Sequence, residues 1–124
     1  MDDPRQGEVY FWPEIKENHP MGDEITHRWV VVSRDAFNKG SPHVLACPLT
    51  SYAPTDLDIG VKKTPHNKLR HDSAILPRMI TPILKEELGE AITRLPPNVT
   101  CQVLDKLRML VEVGPAAEPP QGEG

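Results

Sequence analysis

Prolines set the strongest limit on what this chain can fold into. Fourteen of its 124 residues are proline, roughly twice the usual share of about 5%. Because proline has no backbone N–H and a fixed φ, it interrupts both helices and central strands. Most of these prolines lie between apolar runs or near the C-terminal end. This distribution favours short strands joined by many turns, and the length suits one domain with one core.

Short apolar runs separated by turn residues fill the first three-quarters of the chain. The run at residues 28–33 is apolar enough for a strand that is buried on both faces. Residues 73–83 contain two prolines, and we expect one kinked strand there. Residues 35–38 and 85–88 are each expected to form a single helical turn. The other predicted strands span residues 8–12, 43–51, 57–63 and 90–95.

The hydrophobic period changes after Pro97. From there, apolar residues recur at helical spacing and cover one face, which is typical of an amphipathic helix. Pro97 and Asn98 suit its start, and Gly114 with Pro115 suits its end. The pattern predicts a mainly β, strongly bent barrel of roughly five to seven short strands, with this helix packed against it. The apolar face of the helix consists of Val99, Val103, Leu104, Leu107, Leu110 and Val111.

The ends of the chain differ in composition from its middle. We expect residues 7–114 to form a single domain between a flexible N-terminus, residues 1–6, and a disordered tail, residues 115–124, which is rich in proline and glycine. No signal peptide and no membrane-spanning run is visible, so we expect a cytoplasmic protein that does not enter a membrane. Cys47 and Cys101 lie in apolar segments and are expected to be buried.

Charge is unevenly distributed along the chain. The formal charge is −4, yet residues 59–71 contain no acidic residue. A local basic patch still attracts phosphate, because salt screens charges that lie further away than about 8 Å. The histidines show no metal-ligand spacing, so no metal site is expected. The cations of the segment are Lys62, Lys63, Lys68 and Arg70, which His66 and His71 can join.

Two strongly hydrated side chains, His27 and Arg28, stand directly before an apolar run. Either they cap a strand in solvent, or the strand presents them to a ligand. The stretches GEVYFW, HRWVVVSRDAFN, VLACPLTS and HDSAIL follow one another in an order and spacing that resemble the MazF/PemK family of toxin endoribonucleases. The similarity covers residues 6–114.

The resemblance implies an SH3-like barrel, a homodimer, and cleavage of single-stranded RNA without a metal ion or other cofactor. It also implies a cognate antitoxin that masks the RNA groove. By position, the catalytic arginine of the family falls on Arg28 and its catalytic hydroxyl on Thr50. The glutamate of a Gly-x-Glu loop motif falls on Glu24. The 2′-OH of the RNA would be the nucleophile, and the products would be a 2′,3′-cyclic phosphate and a 5′-OH.

Elementary chemistry supports these roles. A guanidinium stays charged and donates to two phosphate oxygens, so Arg28 suits charge stabilisation. Thr50 can donate to a non-bridging oxygen or orient the 2′-OH. The general base is open between Glu24, which we prefer as an ionised loop residue, and His27, since histidine ordinarily titrates near about 6.5. The candidate RNA-binding residues are His27, Ser51, Tyr52, Lys62, Lys63, Lys68, Arg70, Ser73 and Arg78.

Departures from the family pattern bear on specificity. Trp29 replaces the proline that usually follows the arginine, which puts a bulky ring near the site, and Arg78 and Met79 replace an acidic residue and a glutamine. Two rival functions share the predicted fold. One is a CcdB-type gyrase poison, although such toxins use a tryptophan close to the C-terminus that this chain lacks. The other is a non-catalytic SH3-like binding module, in which Arg28 and Thr50 would be incidental.

Overall fold

The computed structural model describes residues 3–13, 26–51 and 54–112. Within these residues the chain forms seven strands and two helices. The strands are β1 (Glu8–Phe11), β2 (Arg28–Val31), β3 (His43–Thr50), β4 (Ile59–Val61), β5 (Ser73–Ile75), β6 (Thr81–Leu84) and β7 (Ala91–Arg94), and the helices are α1 (Asp35–Gly40) and α2 (Pro97–Val111).

The strands form one curled antiparallel sheet in the order β4-β5-β3-β2-β1-β7, and β6 pairs with β3 beside this path. Helix α2 follows the last strand and packs against one face of the sheet. The predicted mainly β, strongly bent fold with a C-terminal helix is therefore confirmed. None of the described helices has the length and hydropathy that crossing a membrane requires. The tail at residues 115–124 lies outside the described residues.

Strand β3 is the centre of the sheet. One of its edges pairs with β2, while the other pairs with β6 along the first half and with β5 along the last two residues. Pro48 lies between these two halves, and its carbonyl accepts the N–H of Leu76 at 3.1 Å. The N–H and C=O of one strand residue face the same edge. The missing N–H of Pro48 therefore falls where β6 has ended and β5 begins, so no ladder bond is lost.

Residues 73–83 form two strands rather than the one kinked strand expected from the sequence. Strand β5 is followed by a 3-10 turn at Pro77–Met79, after which β6 begins. Pro77 opens the turn, and its carbonyl accepts the N–H of Ile80 at 3.1 Å. The turn moves the chain from the end of β3 to its first half, so one segment covers the whole edge of the central strand. The predicted helical turns are found at α1 and at Lys85–Glu87.

Apolar side chains pack on both faces of the sheet. The first cluster, beneath α2, includes Val9, Val30, Cys47, Leu49 and Val103. The second includes Trp12, Trp29, Val31, Val44 and Ile83. The rings of the two tryptophans meet edge to face, with centroids 5.2 Å apart. Trp29 is fully buried, so the ring that departs from the family pattern belongs to the core and does not line the site.

Helix α2 covers the sheet with only part of its predicted face. Val103 is buried, but Leu110 is 42% exposed and Val111 is 80% exposed, so the last turn of the helix extends beyond the sheet. Of the two cysteines, Cys47 is buried, and burial raises the pKa of its thiol to about 12. The prediction for Cys101 was wrong, because this residue is exposed on α2.

Buried Asn38 joins α1, β3 and the N-terminal segment. Its side-chain amide donates to the carbonyls of Pro4 at 3.0 Å and Ser33 at 3.1 Å. Its Oδ1 accepts the Ser33 hydroxyl, and that hydroxyl oxygen accepts the N–H of Leu45 at 3.0 Å. Asp3 also pairs with Lys85 at 2.9 Å. Residues 3 and 4, in the segment predicted to be flexible, thus contact the folded domain.

We expect Asn38→Ala to lower the free energy of unfolding by about 2–3 kcal/mol, because two buried carbonyls lose their donor. Urea unfolding at equilibrium measures this change. Lys39→Ala is the matched control, since Lys39 is the exposed neighbour on the same helix, and it should change stability by less than about 0.5 kcal/mol. Equal stabilities of the two variants would contradict the role of Asn38.

Candidate functional site

One end of the sheet collects most of the candidate residues. Strand β2 begins at Arg28, β3 ends at Thr50 and β5 begins at Ser73. Since neighbouring strands are antiparallel, these three positions lie at the same end. On the outer sides, Phe11 is paired with Arg28, and Ala74 is paired with Thr50.

A threonine hydroxyl is inserted into the ladder between β2 and β3 at this end. The N–H of Val32 donates to the Leu45 carbonyl at 2.8 Å, and two-residue steps along the ladder lead to a bond from the Arg28 N–H to the Leu49 carbonyl. Instead, the Thr26 hydroxyl accepts the N–H of Arg28 at 3.2 Å and donates to the Leu49 carbonyl at 2.9 Å. The hydroxyl bridge thus links the two strands at this end.

The backbone of Thr26 is fixed as well. Its carbonyl accepts the indole N–H of Trp29 at 2.9 Å, and Trp29 is fully buried. The core thus determines where the Thr26 hydroxyl lies. Sequence reasoning missed Thr26, because a threonine before a strand gives no signal of bonding to a strand 23 residues away.

Arg28 and Thr50 are brought together as backbone positions. Continuing the β2–β3 register from Trp29 opposite Pro48 places Arg28 beside Leu49, one residue from Thr50. Regular alternation would send the two side chains to opposite faces. Both residues also stay paired on their outer sides, Arg28 with Phe11 and Thr50 with Ala74, so the backbone register does not by itself bring the two side chains to one face. A shared face for the two side chains stays a prediction.

The surroundings of Arg28 suit an anionic ligand. Its side chain is half-buried, and no carboxylate in residues 3–13, 26–51 or 54–112 forms an ion pair with it. Thr50 is 6% exposed. The same described ranges contain no group of three His, Cys, Asp or Glu side chains that could hold a metal ion.

His27 is exposed and precedes β2 rather than beginning it. Its ring lies against that of Phe11, with centroids 5.2 Å apart. Since Phe11 is the cross-strand partner of Arg28, both His27 and Arg28 are neighbours of the Phe11 side chain.

The basic loop, residues 62–72, connects β4 to β5 and leaves the sheet at this same end. Asn67 organises its backbone: Oδ1 accepts the N–H groups of Thr64 and Leu69, at 3.1 and 3.2 Å, and Nδ2 donates to the Lys62 carbonyl at 2.8 Å. Leu69 anchors the loop with 3% exposure. Four cations of the loop are exposed and form no ion pair among the described residues: Lys62, Lys63, Lys68 and Arg70.

The other candidate RNA-binding residues differ in accessibility. Ser51 is exposed, whereas Ser73 is nearly buried and its hydroxyl donates to the His71 carbonyl at 3.0 Å. Arg78 Nε lies 3.7 Å from Asp58 Oδ1, and 40% of the Arg78 side chain is exposed against 3% for Asp58. This buried partner was not predicted from the sequence. Glu24 and Tyr52 lie outside the described residues.

The match to known proteins agrees with this architecture. A family model described as PemK-like, MazF-like toxin of type II toxin–antitoxin system matches residues 5–111. The chain belongs to this family. The matched residues of this PemK/MazF-like toxin run from the segment before β1 to the end of α2, so they include the whole sheet and its helix.

Solved structures share the fold of this PemK/MazF-like toxin. An endoribonuclease from a Mycobacterial species is 24% identical with a TM-score of 0.66, over 88% of this chain and 91% of that chain. MazF from Deinococcus radiodurans is 22% identical with a TM-score of 0.67, over 89% and 97%. A MazE–MazF structure from the same organism is 20% identical with a TM-score of 0.67, over 92% and 100%. Among curated proteins, none matches the chain.

We expect Thr26→Val to destabilise the protein by about 1–2 kcal/mol, because the Arg28 N–H and the Leu49 carbonyl lose the hydroxyl that bridges them. Thr26→Ser is the matched control, since it keeps the hydroxyl, and it should cost less than about 0.5 kcal/mol. Urea unfolding gives the energies, and hydrogen exchange at the Arg28 amide should accelerate only in the valine variant. An unchanged exchange rate in Thr26→Val would show that the bridge is not formed.

Proposed function

We propose that this PemK/MazF-like toxin, an endoribonuclease, cuts single-stranded RNA at short sequences without a metal ion and is neutralised by a cognate antitoxin. The observation that carries the proposal is the position of Arg28 beside the end of β3, where Thr50 lies and where the basic loop leaves the sheet. Structures of related folds include an endoribonuclease in complex with its cognate antitoxin and MazE–MazF complexes.

The reaction needs little from the protein, because RNA carries its own nucleophile. The 2′-oxygen forms a bond to phosphorus as the bond to the 5′-oxygen breaks, which leaves a 2′,3′-cyclic phosphate and a 5′-OH. Arg28 neutralises the charge that accumulates on the non-bridging oxygens, since a guanidinium remains protonated and donates to two of them. Thr50 donates to one of these oxygens or orients the 2′-OH. The residue that takes the proton of the 2′-OH is either Glu24, the glutamate of the family motif, or His27.

The RNA lies along the site end of the sheet and over the basic loop. The loop joins β4 and β5, which are three and two inter-strand steps of about 4.8 Å from β2, so it lies about 10 to 14 Å from Arg28 when measured along the sheet. Ser51, Tyr52 and Arg78 are proposed to contact bases, with Tyr52 stacking on an unpaired one. We propose a homodimer as the active form, and an acidic, extended antitoxin segment as the competitor for this cationic surface.

We expect Arg28→Ala to lower kcat/KM for RNA cleavage by about 10²-fold or more, which corresponds to ~3 kcal/mol of transition-state stabilisation. Cleavage is measured on a long RNA in EDTA, and fragment ends are identified as 5′-hydroxyls and cyclic phosphates. Arg34→Ala is the matched control: Arg34 is an exposed arginine beyond the opposite end of β2, and its loss should leave the rate unchanged.

Two results would contradict this function. Near-wild-type cleavage by a folded Arg28→Ala protein would remove Arg28 from the mechanism. Intact RNA after incubation with the wild-type protein would favour the binding module, and inhibition of gyrase supercoiling without RNA cleavage would favour the gyrase poison.

Replacing Lys62, Lys63 and Lys68 together with glutamine should weaken RNA binding and make its salt dependence less steep. If each lysine contacts one phosphate, the slope of log K against log salt should fall by about 2. The matched control replaces three exposed cations at the other end of the sheet, Arg5, Arg34 and Lys39, at the same net charge. Equal slopes for the two triple variants would show that the RNA does not follow the basic loop.

A further inference from the structure

His27 is held at two points by Trp12. The Trp12 N–H donates to the His27 carbonyl at 2.7 Å, and the ring Nδ1 of His27 lies 2.9 Å from the Trp12 carbonyl oxygen. The Phe11 ring packs on the imidazole at a centroid distance of 5.2 Å and an interplanar angle of 36°. Few surface histidines are restrained in this way, because an exposed side chain normally keeps its rotamer freedom.

The bond to Trp12 determines the tautomer of the ring. A carbonyl oxygen can only accept a hydrogen bond, so Nδ1 must carry a proton. In the neutral ring, Nε2 then holds the lone pair, and it lies across the ring from the atom that Trp12 binds. The restraint therefore makes Nε2 the basic nitrogen of the neutral ring and fixes its position.

The residue lies beside those proposed to bind the scissile phosphate. His27 precedes Arg28 directly, its ring contacts Phe11, and Phe11 is the cross-strand partner of Arg28. On the other side, the Thr26 hydroxyl links this segment to the end of β3 that carries Thr50. Among the described residues no carboxylate forms an ion pair with the imidazole.

We propose that His27 is the general base of this toxin and that its Nε2 removes the proton of the attacking 2′-OH. This inference rests on the proposed ribonuclease function and decides which of its two candidate bases accepts the proton. The 2′-O–P bond forms and the P–O5′ bond breaks while the 2′ proton moves to Nε2. The 5′-oxygen takes a proton from water, and the imidazolium returns its proton to solvent, so no net proton is consumed. Glu24 is then not the base.

An asparagine at position 27 separates the role of Nδ1 from the role of Nε2. Its amide N–H occupies the place of Nδ1 and can still donate to the Trp12 carbonyl, but it offers no nitrogen at the place of Nε2. We expect His27→Asn to keep its melting temperature and its affinity for uncleaved RNA, and to lose about 10²-fold or more in kcat. Glu24→Gln should retain more kcat than His27→Asn. The matched control is His43→Asn, which should keep wild-type kcat. His43 is a half-exposed histidine at the other end of β3.

Chemical rescue provides a second test if the asparagine variant does not fold. In His27→Ala, added imidazole should raise kcat in proportion to its concentration. Imidazole would not restore kcat if His27 only supported the fold. Wild-type kcat in His27→Asn, or equal losses of kcat and RNA affinity, would overturn the assignment. So would a Glu24→Gln protein that is less active than His27→Asn. Absence of cleavage by the wild-type protein would overturn the ribonuclease function itself, whereas cleavage by wild type with an unimpaired His27→Asn would overturn this assignment alone.

Discussion

The site depends on one hydroxyl group inserted between two strands. Without Thr26, the N–H of Arg28 and the carbonyl of Leu49 would be the next hydrogen-bonded groups in the β2–β3 ladder. With it, each of these two groups keeps a partner. A bridged strand end differs from a frayed one, because neither of these groups depends on water for its hydrogen bond. The residues beside the bridge therefore stand on a defined backbone.

The Thr26 bridge is held in place by buried side chains rather than by surface residues. The Trp29 indole N–H holds the Thr26 carbonyl, and its ring packs edge to face with Trp12. Trp12 in turn binds His27 through both its N–H and its carbonyl. A tryptophan pair in the second cluster thus supports the positions of Thr26 and His27, the two residues before Arg28. In a small domain with a limited core, this arrangement uses the same buried aromatic surface for stability and for orientation.

The sequence predicted the elements better than the contacts between them. The apolar runs and the helical period located β1, β2, β3 and α2 because local patterns determine them. The division of residues 73–83 into β5 and β6 could not be predicted, since it follows from the need to pair with two halves of β3. Exposure of Cys101 depends on how far α2 reaches across the sheet. Family resemblance located Arg28 and Thr50, whereas the bridge of Thr26 and the Trp12 bond of His27 depend on partners distant in sequence.

In the basic loop, the residues that fix the backbone differ from the residues that carry the charge. Thr64 and Asn67 hold its backbone through their own side chains, and Leu69 attaches it to the core, while the cationic side chains take no part in these bonds. Lys68 adopts a left-handed φ of 56°, a conformation that glycine or asparagine would also accept. Mutation can therefore redistribute charge on this loop while its shape persists. The electrostatic surface of this toxin can thus evolve by single substitutions that leave the fold intact.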